Sequence, residues 1–257
     1  MLTGQGEDGA TAVVQEEAYR AQSWLQRQEQ PSDLIEDCTE SDGLTVWQAA
    51  PGGVVVLPEH YAPTYAYPAL IWLAEQGDDE FAIRRWLEEI SARNFVGIGL
   101  RPELYAPASM SASGTTQVSS TAVRPGLARF LSLLRSIEPW VRLHPDRRYV
   151  AGTGRAARTA VQWLLDRPQA FAGAIVIHPA ATSAASWRTS GPMNSPRRVL
   201  WVCDGNEPTT ADADTLALEC LGVRLETVTS DAASSTLALS AEINRWVLSH
   251  ISTAVLD

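Results

Sequence analysis

Residue types able to do covalent or acid–base chemistry are few and scattered in this 257-residue chain. Cys203 ends one β-rich run and His178 ends another, and a thiol beside an imidazole base can act as a thiolate nucleophile. A cysteine packed in a core is the alternative use of the same residue. His178 is the histidine placed at the carboxyl end of a strand, where open α/β sheets hold their ligands; His60, His144 and His250 fall elsewhere. Thr153, in the run Gly152-Thr153-Gly154-Arg155-Ala156, carries a hydroxyl on a glycine-rich turn between strand and helix. Asp78, Asp79 and Glu80 stand where a helix begins, so helix capping accounts for them better than a metal does. Cys38, Cys203 and Cys220 show no CxxC spacing and are odd in number, which predicts neither a zinc site nor a disulfide framework. No metal and no cofactor is expected.

Composition narrows the classes. The chain is 45% hydrophobic and 19% charged, with a net charge of −10 from 30 acidic and 20 basic residues. Such a balance repels a polyphosphate backbone, and no nucleic-acid partner is expected. No apolar run reaches the roughly 18 residues needed to span a bilayer, so no membrane role is expected. The start, Met1-Leu2-Thr3-Gly4-Gln5-Gly6-Glu7-Asp8, is acidic and lacks an apolar stretch, which predicts a cytoplasmic protein. Nine tryptophans invite an aromatic-ligand reading, but Trp72 and Trp201 fall on strands and Trp86, Trp163 and Trp246 on helical stripes. Trp187, in the segment from Pro179 to Pro196, is the one placed to meet a ligand.

The elements that must position these groups follow from periodicity. Residues 1–43 form an acidic extension with one amphipathic stretch, Ala12 to Gln28, helical or loosely held. Residues 44–257 alternate β-rich runs with helical stripes, the pattern of a mostly parallel sheet with helices on both faces. Strands are predicted near Gly53–Leu57, Ala69–Leu73, Phe95–Leu100, Arg148–Ala151, Gly173–Ile177, Arg198–Cys203 and Arg224–Thr229. Helices are predicted near Glu80–Arg93, Thr121–Leu143, Ala156–Asp166, Ala211–Leu221 and Thr236–Ser249, and Ser109–Thr121 reads as a loop.

Several motifs occur in order along this framework. They are Leu57-Pro58-Glu59-His60-Tyr61-Ala62-Pro63, then Tyr67-Pro68-Ala69-Leu70-Ile71-Trp72-Leu73, then His144-Pro145-Asp146-Arg147-Arg148-Tyr149-Val150-Ala151-Gly152, and Phe171-Ala172-Gly173-Ala174-Ile175-Val176. From about Gly53 to His250 the chain thereby resembles esterases of the α/β-hydrolase superfamily, of the phospholipase/carboxylesterase and feruloyl-esterase-like groups. The resemblance implies an α/β-hydrolase fold and a Ser-acid-His triad, and the chain departs from the triad. The nucleophile pattern G-x-S-x-G reads Gly152-Thr153-Gly154-Arg155-Ala156, with Gly154 in the serine slot. The His-Gly-Gly that helps form the oxyanion hole is replaced by Ala74-Glu75-Gln76-Gly77. Glu207, in Trp201-Val202-Cys203-Asp204-Gly205-Asn206-Glu207-Pro208, falls in the acid slot, and Val228-Thr229-Ser230-Asp231-Ala232-Ala233-Ser234-Ser235 lacks the base.

A triad acts as a unit, and losing one member costs about four to six powers of ten in turnover. The expectation is therefore a catalytically inactive esterase-like homologue that binds a small molecule or protein, or serves structurally, through Glu75, Gln76, Gly154, Arg155, Trp187 and Glu207. Glu75 is expected either to contact Arg155 or to accept the N–H groups of the turn, filling the former oxyanion hole. Two alternatives stand beside this one: an active carboxylic-ester hydrolase rebuilt around Cys203 and His178, and an interaction module acting through residues 1–43.

Overall fold

The computed structural model describes residues 39–41, 44–106, 120–180, 187–189, 196–204, 209–230 and 236–253. Beyond Thr39 these belong to the compact unit Glu40–Asp257. The expected helix Ala12–Gln28, most of the Ser109–Thr121 loop, and Glu207 lie outside the described residues.

Among the described residues nine strands form one sheet: β1 (Thr39–Ser41), β2 (Leu44–Ala50), β3 (Gly53–Leu57), β4 (Tyr67–Leu73), β5 (Val96–Leu100), β6 (Leu143–Thr153), β7 (Gly173–Pro179), β8 (Arg197–Asp204) and β9 (Val223–Ser230). Their spatial order is β1-β2-β3-β5-β4-β6-β7-β8-β9. The pairs from β5 through β9 are parallel, while β3 runs antiparallel to both β2 and β5. The helices are α1 (Ala82–Ser91), α2 (Pro102–Tyr105), α3 (Ser120–Ile137), α4 (Gly154–Asp166), α5 (Thr209–Cys220) and α6 (Thr236–Thr253). No helix among the described residues is long and apolar enough to cross a membrane.

Side-chain alternation along the strands splits the core into two layers. In β4, Ala69, Ile71 and Leu73 face one layer, with Phe130 and Leu134 of α3, Ala157 and Trp163 of α4, and Leu218 of α5. Leu70 and Trp72 face the other, with Ile83, Leu87 and Ile90 of α1 and Ile243, Trp246 and Val247 of α6. All seven residues of β4 are buried. A strand covered on both faces reads as a continuous apolar run, as Tyr67–Leu73 does.

Three expectations are corrected. The helix expected to reach Leu143 ends at Ile137, and β6 begins at Leu143 instead of Arg148. The pairing of β4 with β6 slips between Tyr67↔Leu143 and Ala69↔Arg148. An irregularity there lets Pro145, which has no N–H to give, sit within a strand. Second, β2 was not foreseen, although Leu44 and Val46 alternate with Thr45 and half-exposed Trp47. It joins β3 through Pro51-Gly52, where Gly52 has φ +77° and Ala50 pairs with Gly53. Pro followed by a positive-φ glycine is the sequence of a type II turn. Third, Glu80 does not cap a helix. Helix α1 starts at Ala82 with no acidic residue in its first turn, and the buried Glu80 pairs with Arg101 at 2.8 Å.

Two buried phenols give the fold an alkaline limit. Burial pushes Tyr149, edge-on to Trp246, up from an ordinary 10.0 to about 12. Burial, with Glu75, Glu103 and Asp78 nearby, also raises Tyr105 well above the usual range. Below the unfolded value both states hold the proton. Above it the unfolded chain ionises first, so stability is lost as pH rises through the folded values. Urea midpoints are expected to fall steadily above about pH 10, and Tyr149→Phe to flatten that fall. A flat profile in the parent protein would contradict the burial of these phenols.

Candidate functional site

The carboxyl ends of β4, β6 and β7 converge on the turn from Thr153 to Arg155. Strand β6 passes directly into α4, and Gly154 at the junction has φ +49°, a left-handed conformation that costs a side-chain-bearing residue about 1–2 kcal/mol. The helix lies tightly on the strand. A Cβ at Gly152 would come within 2.8 Å of the Ala156 backbone. Strand β7 flanks the turn, with Ile177 paired to Thr153 and Pro179 bridged to Gly154, whose carbonyl accepts the Ala180 N–H at 3.0 Å.

Opposite this turn, the end of β4 is held from two sides. The Ala74 N–H donates to the Leu100 carbonyl at 2.9 Å, and the buried Tyr105 hydroxyl donates to the Ala74 carbonyl. The next residues turn sharply, with the Asp78 N–H donating to the Glu75 carbonyl at 3.0 Å and Gly77 at φ +101°. Glu75 is thereby directed at the β6–α4 junction. Its Oε1 accepts the Arg155 N–H at 3.2 Å, and its Oε2 accepts a long contact of 3.4 Å from the Thr153 hydroxyl.

The carboxylate occupies the space a side chain at position 154 would need. A Cβ built on Gly154 would lie 2.2 Å from Glu75 Oε1, 2.6 Å from Oε2 and 2.7 Å from Cδ. The fit is reciprocal. Gly154 relieves both the strained φ and the clash, and Glu75 satisfies a helix N-terminal donor that otherwise seeks an anion.

Of the other expected site residues, Gln76 is exposed on the turn after Glu75, and Arg155 is exposed with its backbone N–H engaged as above. Glu207 lies outside the described residues. His178 is half-buried and adopts φ +43°, a conformation that costs a non-glycine residue free energy and recurs at functional sites. Because Ile177 pairs with Val202, His178 and Cys203 leave adjacent strands at the same level. The partly buried Cys203 Sγ lies 3.9 Å from the Val228 carbonyl on β9, on the far side of β8 from β7. Among the described residues no group of three His, Cys, Asp or Glu side chains could hold a metal ion.

Trp187 meets protein, and sequence reasoning missed the group it meets. The Arg158 guanidinium lies 4.7 Å over the Trp187 ring and pairs with Asp214 of α5 at 2.7 Å. Both charged side chains are largely buried, 8% and 13% exposed. One turn on, the Gln162 amide donates to the Arg188 carbonyl at 2.9 Å and to Asp166 at 3.2 Å. Helix α4 thus carries the 187–189 segment and α5 on one buried polar network. Nothing in sequence linked Arg158 to Asp214.

No protein-family model and no curated protein matches the sequence. Solved structures do match the fold. A carboxylesterase from Mesorhizobium loti superposes with TM-score 0.57 at 13% identity, over 82% of this chain and 99% of its own. The Bacillus cereus carboxylesterase gives 0.57 at 11% identity, over 77% of this chain and 93% of its own. A ferulic acid esterase from Anaeromyces mucronatus, solved with ferulic acid, gives 0.54 at 14% identity, over 85% and 94%. Such identities carry the architecture alone, and with the sheet order and the β6–α4 turn they establish that this chain has the α/β-hydrolase fold of the esterases.

Proposed function

We propose that this chain is a catalytically inactive, esterase-like α/β-hydrolase homologue retained for binding or for structure. The observation that carries the reading is the Glu75 carboxylate, which fills the space of a side chain at Gly154 and engages the Arg155 N–H. Acyl transfer needs a nucleophile at that turn and free N–H groups to receive the oxyanion. Here the first is a glycine and the second accommodates a carboxylate. A small molecule or a protein is the partner such a site would take, at the positions of Glu75, Gln76, Gly154 and Arg155.

A hydrolase rebuilt around Cys203 and His178 is favoured less, because the Cys203 Sγ is directed to β9 while His178 leaves β7. The two readings separate cleanly in solution. Purified protein incubated with short-chain p-nitrophenyl esters is expected to show no turnover above a protein-free blank, and a fluorophosphonate probe is expected to leave it unlabelled. Turnover abolished by Cys203→Ala would overturn the inactive reading in favour of the thiolate one.

A further inference from the structure

Strand β9 is the last of the sheet. It pairs with β8 through eight consecutive residues, from Val223 opposite Arg197 to Ser230 opposite Asp204, and no described residue pairs with its other side. Alternate residues of an outer strand turn their N–H and C=O groups outward, a template for another strand. Natural edges are blunted by proline, by bulges, by charged side chains or by a covering element. Strand β9 contains no proline, and its register with β8 is unbroken.

Its charges are of opposite sign and two residues apart. Arg224 is exposed and makes no ion pair among the described residues, and the Glu226 side chain is 41% exposed although it accepts from Arg198. Side chains alternate along a strand, so Arg224 and Glu226 share one face.

We propose that this edge pairs with a second copy of the chain, antiparallel, about a twofold axis through Leu225. In that register Leu225 faces Leu225, Val223 faces Thr227, and Arg224 of each copy faces Glu226 of the other. Symmetry turns one complementary pair into two, which is how an isologous interface recognises itself. Moving the axis one residue, onto Glu226, brings two carboxylates face to face, and like charges directly opposite are unfavourable. An axis on Thr227 sets each Glu226 against Val228 and leaves Arg224 unmatched. Only the register through Leu225 satisfies both charges.

The packing around β9 fits the same axis. Helix α5 lies against β9 on the Leu225 face, where Leu218, Val223 and Leu225 belong to one apolar cluster. A twofold axis normal to the sheet keeps both copies of α5 on that face. On the opposite face Arg198, stacked 5.1 Å from Trp246, already holds Glu226, so the cross-copy pair extends an existing Arg198–Glu226 contact.

Sedimentation velocity on the full chain between about 1 and 100 μM is expected to show a concentration-dependent dimer. Arg224→Glu sets like charges opposite twice and is expected to weaken the dimer about tenfold or more, with its melting temperature unchanged at dilutions where the parent chain is monomeric. Glu226→Arg is expected to weaken the dimer likewise, with a lower melting temperature because it also breaks the Arg198–Glu226 pair. Mixing the two variants restores opposite charges at both positions, so a heterodimer is expected from chains that pair poorly alone. As a readout independent of the Glu226 variant, amides within 223–230 of the parent chain are expected to exchange more slowly as concentration rises. A parent chain that stays monomeric, a dimer indifferent to Arg224→Glu, or a mixture that fails to recover association would overturn the proposal.

Discussion

Gly154→Ser, the change that puts a serine where the G-x-S-x-G pattern would have one, is expected to yield a less stable protein and no esterase. The serine must adopt φ near +49°, and its Cβ must displace a carboxylate otherwise 2.2 to 2.7 Å away. The displaced Glu75 surrenders the Arg155 N–H. Left-handed strain of about 1–2 kcal/mol and a lost helix-terminal hydrogen bond of about 1–2 kcal/mol sum to roughly 2–4 kcal/mol. Because the Glu75 side chain can swing away, the upper end of that range applies only if its carboxylate finds no other donor.

Turnover does not return, because residues 231–235 supply no histidine and a serine without its base loses about four to six powers of ten. The double variant Glu75→Gly, Gly154→Ser relieves the clash and is expected to recover part of the stability while remaining inactive. Chemical denaturation of the three proteins, with p-nitrophenyl ester assays alongside, checks both halves. Appearance of clear turnover in the single variant would show that a base such as His178 already serves the turn, and that the parent lacks only its nucleophile.

The largest loss of stability is expected from Arg158→Met. Breaking one side of a buried ion pair leaves an uncompensated charge, a cost of about 3–5 kcal/mol, and Asp214 is only 13% exposed. The variant also removes the cation stacked on Trp187. Asp214→Leu alone is expected to cost a similar amount. Replacing both together is expected to recover most of the loss, because well-packed apolar pairs substitute for buried ion pairs at little cost or with a gain. Urea unfolding of the four proteins closes a double-mutant cycle, and additive single effects would refute the coupling of the two residues.

Much of the fold was legible because its signals are local. The run Ala69–Leu73 announced a strand, which the structure extends to Tyr67 and buries on both faces, and the helical spacing of Leu127, Phe130, Leu131 and Leu134 announced the helix that covers it. The proline in β6 obscured that strand, since local preference disfavours Pro145 and only the irregular pairing with β4 accommodates it. Strand β2 carries a weaker local signal, because its apolar Leu44 and Val46 alternate with Thr45 and Trp47 instead of forming a run.

The candidate site divides in the same way. Sequence by itself determined which groups exist: Gly154 where the resemblance puts a serine, no histidine within residues 228–235, and Glu75 where it puts a glycine. Those absences hold in any conformation, because a missing side chain cannot be supplied by folding. Only the tertiary structure decided what fills the space. Glu75 and Gly154 are 79 residues apart in the chain, and they meet because β4 and β6 are neighbours in the sheet and end at the same level. Arg158 and Asp214 likewise meet only once α4 and α5 cover one face. Periodicity reports which face of an element is apolar, whereas the choice of partner depends on strand order and register, set by the packing of the whole sheet.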